Sequence, residues 1–203
     1  MLDEFRAGGG IMWFLLACAV AGLTFVIERV ITLVLRTGGT RGFVKRLIAV
    51  IEKDGVAAGV ALCSRTKSPV AKVLGAALEK AGQDRSSIEN AVVQAGATEL
   101  GFLDRFMPLI AGITTVAPFF GFLGTVTGMI SAFKAVAAVG EVDPIVVSTG
   151  ISEALITTKW GLMIAAPLAL MHILFSMIVN GYLRQMETAS AELIDYLAAK
   201  KRT

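Results

Sequence analysis

Residues 106–133, FMPLIAGITTVAPFFGFLGTVTGMISAF, run for 28 positions without a charged side chain. A hydrocarbon core of about 30 Å is crossed by roughly 20 helical residues, so this stretch is a membrane span with length to spare. A second run of 24 uncharged residues extends from Trp160 to Leu183, preceded by the apolar segment Ile145 to Ser152. A third holds 17 uncharged residues from Ile11 to Ile27 and continues past Glu28 and Arg29 to Leu35. Composition agrees: 55% of the 203 residues are hydrophobic and 17% charged, with a mean hydropathy of +0.73. Such a chain is too apolar for a soluble domain.

The expectation is therefore an all-α membrane protein of one domain over residues 1–203, with crossings at about 11–35, 105–134 and 145–183. Its long helical loop, about 36–104, and its tail are cytoplasmic. Orientation follows from the basic residues. One lies before the first span, eleven from Arg36 to Arg105, one at Lys134 and four from Arg184 to Arg202. Because Lys and Arg accumulate on the cytoplasmic side, the N-terminus is placed outside and the C-terminus inside. The net charge of +3 is this asymmetry and not a nucleic-acid patch. The first span has no basic n-region or cleavage site, so it is read as retained.

The loop itself carries helical signals. Phe43, Leu47 and Ile51 recur at helical spacing, and Asp54 is a candidate cap for the next short helix. Ser68-Pro69 reads as an N-cap with proline at N1, and Ser86-x-x-Glu89 as a capping box. From there to Lys134 only Pro108 and Pro118 interrupt, so one helix is expected, and another from Pro144 to about Ala199.

Signatures of soluble enzymes are absent, with no phosphate-binding loop, zinc-protease motif or nucleophile elbow, so no catalytic activity, cofactor or metal is expected. Cys18 and Cys63 are read as small packing residues, and His172 as a packed or boundary histidine. Glu153 differs. A charged side chain at depth costs about 2.5 to 3.5 kcal/mol on insertion scales, so it should face a cavity or a partner. If the second and third spans turn near Val139, Thr125 and Glu153 sit at similar depth. Gly121, Gly124 and Gly128, with Gly161, Ala165 and Ala169, make small-residue faces suited to close packing. Thr149 and Thr157 share the helical face of Glu153, whereas Thr158 lies about 140° round. Lys159 is a second deep charge, about 9 Å further along, expected to snorkel or to pair with a carboxylate of another chain.

The pieces AP-x-x-G-x-LGTV-x-GMI and GI-x-EAL-x-TT-x-x-GL-x-x-A-x-P within residues 109–175 resemble the proton-channel family containing ExbB, TolQ and MotA, with ExbB and TolQ the closer match. The resemblance implies a homo-oligomeric ring, pentameric in the family, around two copies of a single-span partner similar to ExbD or TolR, which contributes a protonatable aspartate. It further implies an ion-driven motor in the bacterial inner membrane, acting through a periplasm-spanning protein like TonB or TolA on transport or envelope work. By motif position Glu153, Thr125 and Thr158 would form the ion pathway, with Thr157 and Lys159 as additional polar contacts. Helical periodicity prefers Thr157 to Thr158 as the neighbour of Glu153. Lys159-Trp160 departs from the family pattern, where small residues are common, which leaves the coupling ion open. The rival expectation is a passive helical scaffold with a structural Glu153.

Overall fold

The computed structural model describes residues 2–36, 42–139 and 144–201. Among these the regular elements are all helices: α1 (Leu2–Ala7), α2 (Ile11–Arg36), α3 (Phe43–Asp54), α4 (Val56–Arg65), α5 (Pro69–Glu79), α6 (Arg85–Leu103), α7 (Met107–Val139) and α8 (Pro144–Lys201). Three helical stretches, Ile11–Leu33, Arg85–Ala137 and Val147–Lys200, are long and apolar enough to cross a membrane. The chain divides into two compact units, one of Met1–Glu28 with Phe106–Leu174 and one of Arg29–Arg105 with Phe175–Thr203.

The first unit is built on small residues. A Cβ added to Gly121 would lie 2.9 Å from the Thr157 carbonyl oxygen, and one on Gly161 would lie 2.8 Å from that of Ala117. Gly128 meets Gly150 and Ala154 in the same way. These pairings run α7 and α8 antiparallel with their backbones nearly touching, which dispersion favours and a larger side chain would forbid. Large apolar side chains such as Phe119, Phe122, Leu155 and Leu162 point outward and are exposed. That is the arrangement expected where the solvent is hydrocarbon. At the N-terminal end, Gly8–Gly10 reverses the chain between α1 and α2, with Gly9 at φ +66, a value glycine adopts without steric cost. Carbonyls of Gly9 and Gly10 then accept from the Met12 and Trp13 amides and close the first turn of α2.

The second unit is packed like a soluble protein. Phe43, Leu47 and Ile51 of α3 are all buried, the face that their spacing marked. They join Val70, Leu74 and Leu78 of α5 and Met186, Leu193 and Ile194 of α8 in one core. Each such side chain contributes about 1.5 to 3 kcal/mol on burial. Lys72 Nζ reaches Glu99 Oε1 at 2.7 Å and ties α5 to α6.

Three local expectations are corrected. The helix expected to open at Ser86 starts at Arg85 with Asp84 as its cap, accepting from the Ser87 amide at 3.3 Å and from the Ser86 and Ser87 hydroxyls. A carboxylate answers the helix dipole better than a hydroxyl, and these hydrogen bonds hold the Asp84 carboxyl down to about 2. Glu89 pairs instead with Arg85, four residues before it, at 2.7 Å. Asp54 ends α3 rather than capping α4; the junction is Gly55, at φ 86, whose amide donates to the Ile51 carbonyl.

The helix expected to be continuous to Lys134 is broken at Asp104–Phe106. Pro108 has no amide proton, and its ring conflicts with a helical carbonyl four residues back. The buried Arg29 Nη1 meanwhile donates to the carbonyls of Leu103, at 2.7 Å, and Phe102, at 3.4 Å. Those are acceptors that a continuing helix would have used.

Candidate functional site

Glu153 lies half-buried on α8, in a segment where neighbouring turns are apolar or small. Its carboxylate rests against Gly9 of the N-terminal reversal, where an added Cβ would collide with Oε1 and lie 3.3 Å from Cδ. The α7–α8 pairings set the depth of the rest. Gly124 faces Thr157 and Gly128 faces Gly150 and Ala154, so Thr125 lies within about a turn of the level of Glu153.

The threonines divide. Thr125 is half-buried, and its hydroxyl donates to the carbonyl of Phe122 on its own helix at 2.7 Å. Thr157 is 1% exposed. Its Oγ1 donates to the carbonyls of Ala154, at 2.8 Å, and Gly121, at 3.2 Å. Thr158 also donates to Gly121, at 3.1 Å. Both members of the TT pair thus hold one carbonyl of α7, a contact that fixes the helix pair and leaves neither hydroxyl on the carboxylate. Helical periodicity puts Thr157 on the face of Glu153, and the glycines opposite, Gly121 and Gly124, turn its hydroxyl toward α7.

Lys159 has a partner within its own chain. Its Nζ lies 2.7 Å from Glu4 Oε1 on α1, while Trp160 Nε1 donates to Glu4 Oε2 at 3.2 Å. The hydrogen bond and charge of Lys159, with the Trp160 N–H, hold the Glu4 carboxyl below its ordinary range. The two positions that depart from the family pattern therefore serve one carboxylate, and sequence reasoning missed both Glu4 and Gly9. The available signal was an unpaired deep lysine and a triple glycine just ahead of the first span.

Among the described residues no group of His, Cys, Asp and Glu is placed to hold a metal, and His172 is half-buried. Cys18 and Cys63 are both free thiols. Cys63 is buried in the core of the second unit, and burial pushes its thiol up to about 11.

Residues 65–188 match the model of the MotA/TolQ/ExbB proton channel family. A biopolymer transport protein ExbB homolog of Methanothermobacter thermautotrophicus is 29% identical over 81% of this chain and 59% of its own. ExbB of Xanthomonas campestris is 32% identical over 57% of this chain and 46% of its own. The Tol-Pal system protein TolQ of Haemophilus influenzae is 35% identical over 40% and 36%. The chain thus spans between about a third and three fifths of the length of these relatives. With the family match covering more than half of its residues and three apolar helices of spanning length, this multi-pass membrane chain belongs to the MotA/TolQ/ExbB proton channel family, on its ExbB and TolQ side.

Proposed function

We propose that the chain is the channel-forming subunit of an ion-driven, energy-transducing complex in the bacterial inner membrane. The observation that carries this is Glu153, a carboxylate half-buried in an otherwise apolar helical unit, where an ionisable group is retained for ion or proton traffic rather than for stability. In this reading the subunits form a ring, a pentamer as in the family, around two copies of a single-span ExbD- or TolR-like partner. A TonB- or TolA-like protein carries the work toward the outer membrane. Glu153 exchanges a proton, Thr125 lines the path at its level, and Thr158 contributes to the path while donating to Gly121.

The N-terminus faces the periplasm, and residues near 40 to 100 and the C-terminus face the cytoplasm, so a cysteine introduced at Thr66 should resist an impermeant reagent applied from outside. Labelling there would overturn the orientation.

The deciding experiment is Glu153→Gln, which keeps the shape and removes the titration. The variant should assemble with its partner, as read by co-purification, and lose ion-driven activity by about a hundredfold or more in a transport or growth assay. Thr125→Val should weaken activity less. The passive-scaffold alternative makes the opposite statement, because a glutamine hydrogen-bonds as well as a protonated glutamate. Full activity in Glu153→Gln would remove Glu153 from the ion pathway and leave the family membership standing.

A further inference from the structure

The six residues of α1 are too few to hold a helix unaided, since isolated helices shorter than about 12 residues are marginal in water. Side-chain anchors hold it. Glu4 takes Lys159 on one oxygen, at 2.7 Å, and the Trp160 N–H on the other, at 3.2 Å. Phe5 packs edge-on against Trp13, with ring centroids 5.2 Å apart. An apolar recess of about 450 Å³, lined by Phe5, Met12, Trp13, Leu16 and Trp160 among others, lies beside these contacts. Phe5 also packs against the small core of Met12, Leu15, Ala117 and Ala165, so apolar contact and the Glu4 contacts hold α1 together.

The reversal that follows α1 sets Gly9 at φ +66 with its backbone against the Glu153 carboxylate, where an added Cβ would collide with Oε1. The same α8 segment thus bears on the N-terminal hairpin twice, at Glu153 under the turn and at Lys159-Trp160 under the helix. Holding α1 down at Glu4 holds the Gly9 main chain over the carboxylate.

We infer that Glu4 is a positioning residue for Glu153. Its contacts with Lys159 and Trp160 form a latch that keeps the N-terminal hairpin closed over one side of the carboxylate, and release of the latch opens that side. The consequence for ion traffic rests on the channel reading above, but the cover over Glu153 is testable by itself.

The test is the rate at which a hydrophobic carbodiimide modifies Glu153 in membranes holding the assembled complex, read by mass spectrometry of the Glu153 peptide. Glu4→Gln and Lys159→Gln should each speed modification on the order of threefold. The double variant should be no faster than either alone, because both break the same contact. Exchanging the charges, Glu4→Lys with Lys159→Glu, should return the rate toward that of the parent.

An effect of charge alone behaves differently. Lys159→Gln removes a positive charge and Glu4→Gln a negative one, so a response to charge alone would shift the two single variants in opposite directions, and that outcome would overturn the latch. Gly9→Ala, which pushes the turn and the carboxylate apart without touching any charge, should also speed modification. Unchanged rates in Glu4→Gln and Gly9→Ala would overturn the inference and leave the ion-pathway reading standing. Activity retained in Glu153→Gln would do the reverse.

Discussion

The two compact units bring their helices together through different kinds of residue. In the second, the centre is leucine and isoleucine, with Leu47, Ile51, Leu74 and Leu193 fully enclosed. In the first, Gly121, Gly124, Gly128 and Gly161 line the seam between α7 and α8; Leu15 and Ile110 are buried, but Phe119, Phe122, Leu155 and Leu162 face out. The difference teaches which solvent each part was selected for. Water rewards hiding large apolar surface. Lipid tails do not, so helices in lipid associate where backbones can approach and hydroxyls can reach a carbonyl, as Thr157 and Thr158 reach Gly121.

Substitutions that invert the rule of each unit should break it. The largest effect is expected in the second, where Leu74→Ala removes a fully buried side chain and should cost about 2 to 5 kcal/mol. Urea-dependent proteolysis of the purified protein would measure it, and a loss below that range would mean the core is loose. In the first unit the damaging change runs the other way. Gly121→Val has no space against Thr157 and Thr158 and should cost about 1 to 3 kcal/mol, as with other overpacked sites, seen as a lower midpoint of thermal denaturation in mild detergent. Phe122→Ala next to it, exposed, should move that midpoint little. If the valine were tolerated and the alanine were not, the small-residue seam would be incidental.

Smaller effects sharpen the comparison on the second unit alone. Cys63, buried and with its thiol pushed up to about 11, should resist alkylation at pH 8 until that unit is unfolded. Smaller still is the contribution of Asp84. Its carboxyl lies near 2 in the fold against 3.8 ordinarily, so the unfolded chain binds the proton more readily. The cap therefore stabilises above about pH 4, and that stability drains away as pH falls toward 2. Asp84→Asn should flatten this part of the pH–stability curve.

The spans were legible because hydrocarbon demands long uncharged runs, and the buried face of α3 because three apolar residues repeat at helical spacing. Caps were less so. Ser86-x-x-Glu89 satisfies the capping-box pattern, yet Asp84 two residues earlier accepts more bonds, and nothing local ranks the two before the turn is formed. The break before α7 was only half visible, in Pro108. Its other half is Arg29, 73 residues from Phe102 in the chain. The candidate site divides the same way. A deep carboxylate announces itself by its cost, and Thr125 by its spacing from the turn. The pairing of Glu4 with Lys159 joins residues 155 apart, and no periodicity encodes that.

Arg29 also bears on how α2 can move. Basic residues at the end of a span are ordinarily read as topological markers whose position tolerates shifts, since long side chains reach water from several registers. Here the guanidinium is enclosed, and it donates to the last carbonyls of α6. Turning α2 by one residue, about 100°, or sliding it by one turn, about 5.4 Å, would take the donor off those carbonyls. Arg29 thus acts as an axial and rotational stop for the end of this helix, and a motion that uses α2 has to bend it or carry α6 along.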